Sequence, residues 1–402
     1  MTIRILIAFA MLLPVVAQAQ TESQFEQARR RMVEEVVAGA GVKDLRVLEA
    51  MRATPRHEFV APNLRNQAYF DMALPIGFQQ TISSPFIVAY MTESLDPQPT
   101  DTVLEIGTGS GYQAAVLSPL VKEVYSIEIV EGLGRNAERT LKRLKYKNVL
   151  TKVGDGFQGW PEHAPFNKII VTCSPEAPPQ PLIDQLAEGG LMVIPAGERY
   201  QQTLYLMRKK DGQLEKEALR PTLFVPMTGT AEDQRLVKPD PAHPQAANGN
   251  FEEPLGESGF IAGWYYERQA EWITDPSAPE GKHYVKFKND EAGRSAHLLQ
   301  GLPIDGRSVA EIELSATVKY ANVVENLREN ALPSIGITFY DENRNDLGFN
   351  WIGPFRGSSD WKPVKKTFRV PIQAREGLLR IGLFGATGEL SFDAITLKPI
   401  AR

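Results

Sequence analysis

Apolar positions change rhythm along this chain, and the rhythm predicts its elements. Phe25, Ala28, Met32, Val33, Val36 and Val37 recur at helical spacing, which predicts an amphipathic helix over residues 23–38. Val42 to Met51 predicts a second helix, stopped ahead of Pro55, and a loop-rich stretch follows from Arg56 to Pro85. Ile87 to Leu95 reads as another helix. Short apolar runs then alternate with helical faces. Strands are expected at Val103–Ile106, Glu123–Glu128, Val149–Val153, Lys168–Cys173 and Leu191–Ile194. Two more, Thr203–Met207 and Thr222–Met227, flank the turn Asp211-Gly212. Leu133, Ala137, Leu141 and Leu144 mark one intervening helix, whose start Gly132 and Gly134 weaken. Pro181–Ala187 marks another, with Gly189-Gly190 leading into the next strand. The expectation is an α/β domain: a parallel sheet with helices on both faces, closed by an antiparallel pair.

The pattern shifts after residue 235. Residues 236–249 are rich in proline and alanine, and read as a linker between domains at 20–235 and 250–402. Beyond it the helical period disappears. Alternating stretches at 284–288, 311–320, 334–340, 365–370, 378–384 and 390–397 are separated by turn residues, the pattern of a β-sandwich. No internal repeat stands out.

Composition adds the boundary conditions. At 402 residues the chain is longer than one ordinary domain. Its 43% hydrophobic and 23% charged residues are those of a globular protein. A net charge of −5, with no basic run interleaved with aromatics, argues against nucleic acid as a partner. Arg4, the apolar run Ile5–Val16 and Ala17-Gln18-Ala19 form the pattern of a cleavable secretory signal over residues 1–19, so a periplasmic or secreted protein is expected. No other stretch approaches membrane-spanning length. Cys173, the single cysteine, lies in an apolar strand and reads as a buried small hydrophobe. No histidine has metal-ligand spacing to it, and no metal site is assigned.

The candidate chemistry begins where the first parallel strand ends. Val103-Leu104-Glu105-Ile106 runs into Gly107-Thr108-Gly109-Ser110-Gly111, a turn that exposes bare backbone and the N-terminus of the next helix to a ligand. The spacing is G-x-G-x-G after an acidic residue, not the dinucleotide fingerprint, and it is typical of enzymes that use S-adenosyl-L-methionine (AdoMet). Glu128 closes the next strand, at the position from which an acid holds ribose hydroxyls. Asp155 and Gly156 follow the third strand, where a short acid can face the adenine amino group.

Residues 42–229 resemble the protein-L-isoaspartate O-methyltransferase family. The resemblance rests on separate blocks: Arg56-His57-Glu58-Phe59-Val60, Ala68-Tyr69, Leu74-Pro75-Ile76-Gly77, Gln80-Thr81-Ile82-Ser83 before Pro85, Leu104 to Ala115, and Val124 to Glu128. It continues through Gly154-Asp155-Gly156, Gly159-Trp160, Ala164-Pro165-Phe166, Ile169 to Thr172 and Phe224 to Met227. It implies a Rossmann-like methyltransferase fold and transfer of the AdoMet methyl group to the α-carboxylate of L-isoaspartyl residues in damaged proteins. The ester then collapses to a succinimide. It also implies that Ser83 meets the acceptor carboxylate and that Thr81, Ile82 and Ser84 line the cofactor. His57 is expected to be structural, because a carboxylate ionised near pH 7 needs no base.

The C-terminal half resembles carbohydrate-binding jelly-roll modules, through Asn248 to Glu252 and Leu390 to Ile395. Glu252 and Asp393 carry oxygens of the kind calcium takes, and Trp264, Tyr265, Tyr266, Trp272, Trp351 and Trp361 suit either a glycan or protein platform or the sandwich core. Two other functions stay open at this point. One is an AdoMet enzyme for a different acceptor. The other is a non-catalytic, exported AdoMet- or glycan-binding protein on the same fold.

Overall fold

A computed structural model describes residues 13–326 and 332–402, with side chains from residue 22 onward. The first twelve residues of the expected signal segment lie outside the described residues. The described chain forms two compact units. One is built from the chain through Thr172 with Gln180–Val193 and Arg208–Leu214; the other comprises Cys173–Pro179, Ile194–Met207 and Glu215–Arg402.

The first unit opens with α1 (Leu13–Arg31), which continues in wider helical turns over Met32–Ala38. Asp44 caps α2 (Leu45–Ala53) by accepting from the Arg46 amide, which ends the preceding loop. The stretch expected to be loop contains a small hairpin, β1 (Leu74–Gly77) with β2 (Gln80–Ile82). Alternation over so few residues gives too little signal to mark it. Helix α3 (Pro85–Leu95) follows, with proline at its first turn.

The central sheet runs in the order β5-β4-β3-β6-β7-β8-β9, where β3 is Thr102–Ile106, β4 Glu123–Glu128, β5 Val149–Val153, β6 Phe166–Val171, β7 Leu186–Glu198, β8 Gln201–Lys210 and β9 Gln213–Thr222. Strands β5, β4, β3, β6 and β7 pair in parallel. Val103, Leu104, Ile106, Ile169, Ile170 and Val171 are buried, as strands covered on both faces require. Helix α4 (Tyr112–Leu117) follows the glycine turn. Helix α5 (Glu131–Arg143) buries Leu133, Ala137 and Leu141, one residue per turn on one face. Helix α6 (Gln180–Gln185) is shorter than expected, and Gly189-Gly190 falls inside β7.

The closing strands correct the sequence reading. The last one is Gln213–Thr222, not Thr222–Met227. Its alternating charges, Glu215, Lys216 and Glu217, conceal a solvent-facing strand. Phe224 to Met227 instead runs past Ser174, whose amide donates to Val225 O at 2.8 Å while the Met227 amide donates to Ser174 O at 3.0 Å.

The second unit contains the expected sandwich, with ten strands among the described residues rather than six. One sheet is β10 (Tyr265–Arg268), β13 (His297–Pro303), β18 (Glu376–Gly382), β15 (Ser334–Tyr340) and β16 (Asp346–Ile352), in that spatial order. The other is β11 (Ala270–Thr274), β12 (His283–Asn289), β19 (Thr387–Ala401), β14 (Val309–Val324) and β17 (Gly357–Arg369). Every pairing is antiparallel. Phe287, Leu314, Ile337, Leu379 and Phe392 are among the core residues facing inward. Three of the four missed strands, β10, β11 and β16, are sheet edges, and in Ala270–Thr274 the apolar signal is halved; the fourth, β13, is interior, and its Gln300, Gly301 and Pro303 break the apolar alternation.

Candidate functional site

The glycine turn is built from three left-handed residues, Gly107 at φ 94°, Gly109 at 53° and Gly111 at 88°. A side chain at any of them would be strained. The turn is stitched to its neighbours. The Gly107 and Thr108 amides donate to Ile127 O, at 2.9 and 3.2 Å. The Gly109 amide donates to Glu128 Oε2 at 2.7 Å, and the Val130 amide to Glu128 Oε1 at 2.9 Å. Burial pushes the Glu128 carboxyl up, and these amides oppose the shift.

Glu105 lies beneath the turn and is wholly buried. Ser126 Oγ donates to its Oε2 at 2.6 Å and shares a second hydrogen bond with Thr108 Oγ1 at 2.6 Å. Its other oxygen, Oε1, has no hydrogen-bond partner among the described residues. Burial raises the Glu105 carboxyl to about 8, with the Glu128 charge adding to the shift. Asp155 Oδ1 accepts from the Phe157 amide at 2.9 Å and so caps the short turn Gly156–Gln158. At Gly156 a Cβ would lie 2.4 Å from Ile106 Cγ2, so only glycine fits there.

The hairpin carries the other candidates. Thr81 and Ile82 lie on β2, Ser83 follows, and Ser84 is the N-cap residue of α3. Ile82 and Ser84 are buried; Thr81 and Ser83 are half-buried. No hydrogen bond within the described residues engages the Ser83 hydroxyl. The other arm touches the glycine turn: a Cβ at Gly109 would lie 3.3 Å from Ile76 Cδ1. The structure therefore brings the hairpin to the same turn that Glu105 supports and Glu128 holds.

The family model described as protein-L-isoaspartate(D-aspartate) O-methyltransferase matches residues 27–232, just over half of the chain. The chain belongs to this family. Protein-L-isoaspartate O-methyltransferase 1 of Syntrophobacter fumaroxidans is 50% identical over 205 residues, covering 51% of this chain and 96% of that protein. A solved structure titled protein-L-isoaspartate O-methyltransferase is 30% identical with a TM-score of 0.47, covering 50% of this chain and 67% of that one. A structure titled Family 16 Carbohydrate Binding Module-2 is 18% identical with a TM-score of 0.28, covering 38% of this chain and 98% of that module.

AdoMet is the cofactor of the methyltransferase family, and the residues present suit it. The Glu105 oxygen without a hydrogen bond, the bare glycine cradle and the Gly156 position leave hydrogen-bonding capacity and space at one sheet edge. Each Glu128 oxygen holds one amide and keeps acceptor capacity for a ribose hydroxyl.

Several supporting residues carry no role in the sequence reading. Thr172 Oγ1 donates to Gly107 O at 2.7 Å and Ile106 O at 3.0 Å, tying β6 to the turn. Its signals were a polar residue directly after the apolar run Ile169-Ile170-Val171 and its place in the family block Ile169 to Thr172. Asp71 Oδ1 accepts from the Phe86 amide at 3.1 Å and so helps satisfy the start of α3 beside Ser83. Arg56 is buried over the Tyr112 ring, with Nε donating to Ala68 O at 2.7 Å. His57 is buried as expected: it shares a 2.7 Å hydrogen bond with Tyr69 and stacks on Phe25, and burial lowers its pKa. Cys173 is buried too.

In the sandwich, the residues weighed for calcium meet backbone instead. Glu252 Oε1 accepts from the Lys282 and His283 amides, both at 2.6 Å, and Glu252 Oε2 contacts His283 Nδ1 at 3.1 Å. Asp393 accepts from the Glu280 and Ala394 amides. Among the described residues no group of three His, Cys, Asp or Glu is arranged to hold a metal ion. Trp264 and Tyr265 are core, Tyr266, Trp272 and Trp361 are half-buried, and Trp351 is 37% exposed.

Proposed function

We propose that this chain transfers a methyl group from AdoMet to the α-carboxylate of L-isoaspartyl residues in proteins and peptides. Bound at the glycine turn, AdoMet supplies an electrophilic methyl carbon on a positively charged sulfur. One acceptor oxygen forms the new C–O bond as the C–S bond breaks, and the bonding pair leaves with sulfur as a neutral thioether. No proton moves, because the acceptor is already ionised near pH 7. The chain's task is therefore alignment, and alignment alone can lower a barrier by roughly 7–11 kcal/mol. Glu128, Asp155 and the glycines hold the donor end. Ser83 donates a hydrogen bond to the acceptor carboxylate and orients it.

The observation that carries this reading is the unengaged, half-buried Ser83 hydroxyl on the hairpin that packs against Gly109. A pair of otherwise identical peptides tests it, one with L-isoaspartate and one with normal aspartate. Methyl esterification of the isoaspartyl peptide alone is the expected result. Equal labelling of both, or of neither, overturns it.

The N-terminal pattern Arg4, Ile5–Val16 and Ala17-Gln18-Ala19 supports export to the periplasm or beyond. The sandwich is then an accessory module that holds the enzyme to a glycan or to its protein substrates. Exposed Trp351 is the aromatic best placed for such contact.

A further inference from the structure

The tip of the β1–β2 hairpin is held in an unfavourable backbone conformation. Gly77, Phe78 and Gln79 have φ of 88°, 54° and 62°, so two successive side-chain-bearing residues are left-handed. Phe78 is 56% exposed, and the tip of its ring lies against a helix. It sits on Gly132, the second residue of α5: a Cβ there would lie 2.7 Å from Phe78 Cζ and 3.2 Å from Cε2. Glycine inside a helix is the poorest choice apart from proline, so α5 gives up stability at this position. Room for the Phe78 ring accounts for it.

The hairpin thus rests on two glycines that bracket Glu128. Ile76 meets Gly109, whose amide holds one Glu128 oxygen. Phe78 meets Gly132, two residues beyond Val130, whose amide holds the other. The opposite arm leads straight into Ser83. We propose that Phe78 is a positioning residue: seated in the notch at Gly132, it latches the hairpin over the cofactor turn and fixes where Ser83 stands relative to the bound donor. This rests on the reading of the site as a methyltransferase centre. Phe78 acts through the hairpin and needs no contact with the reacting atoms.

A double-mutant cycle on the full chain tests the latch. Gly132→Ala fills the notch while improving helix propensity, so the melting temperature should stay level or rise. Affinity for S-adenosylhomocysteine, measured by calorimetry, should nevertheless fall about tenfold, within the range of contact couplings. Phe78→Ala should weaken binding similarly. The double variant should bind no worse than Phe78→Ala alone, because no ring remains to be displaced. Wild-type affinity in Gly132→Ala, or additive losses in the double variant, overturns the proposal. The binding readout separates it from the substrate reading, which the peptide pair tests: wild-type protein that binds S-adenosylhomocysteine but methylates neither peptide sinks the substrate assignment, while the cycle still decides the latch.

Discussion

Glu105 in the parallel sheet and Asp393 in the sandwich are both 0% exposed, and burial drives both carboxyls up. They differ in what meets them. Asp393 has an amide at each oxygen, from Glu280 and Ala394, and rises only to about 6. Glu105 has one serine hydroxyl, a weaker pull from the Ala114 amide and one oxygen without a full hydrogen bond, and rises to about 8. A matched buried acid is a joint that locks backbone segments far apart in sequence. An under-matched one beside a glycine cradle keeps hydrogen-bonding capacity for a ligand, as a donor while it holds its proton. Glu105 is also the more deeply desolvated of the two, so burial and the tally of donors act in the same direction.

That contrast can be tested in order of expected effect. Asp393→Ala leaves two part-buried amides without their acceptor and should cost about 2–3 kcal/mol in urea unfolding of the full chain, with kcat of the folded protein unchanged. A stability near wild type would reduce Asp393 to a bystander. Ser83→Ala lies in the other unit and should do the reverse. It should lower kcat roughly 10- to 100-fold, as for loss of one hydrogen bond to a charged group, while stability and S-adenosylhomocysteine affinity hold. Undiminished turnover would remove Ser83 from the mechanism.

The third test reads a slope, small at any one pH. Glu105 keeps its proton in the folded protein up to about 8, whereas the unfolded chain releases it near the ordinary value of 4.5. Its contribution is therefore fully present below pH 4.5 and is lost as pH rises toward 8, at no more than about 1.4 kcal/mol per pH unit. Glu105→Gln should flatten this part of the stability profile. An identical slope in the variant would assign the linkage to another group.

The sequence exposes what is periodic and what is chemically odd. The buried parallel strands are readable because both faces are apolar, and the glycine turn because three glycines alternate after an acid. Strand β9 is not readable, since Glu215, Lys216 and Glu217 look like loop when one face meets water. The hairpin is short enough that Pro75 and Gly77 suggest a break, and its pairing of Leu74 with Ile82 is a tertiary fact. Gly132 reads as a weak helix start because its justification, the Phe78 ring, lies more than fifty residues upstream. Thr172 and Asp71 escape notice because their partners are backbone groups of other elements, which residue types do not reveal.

The threonine at the end of β6 has a thermodynamic consequence. Through its hydroxyl the carbonyls of Ile106 and Gly107 are clamped from one side, while Ile127 and Glu128 grip the turn's amides from the other. A glycine-rich loop would otherwise be the most disordered stretch near the sheet. Here its freedom is surrendered during folding, so an incoming nucleoside has almost no loop left to order, and its binding free energy goes undiluted into contact.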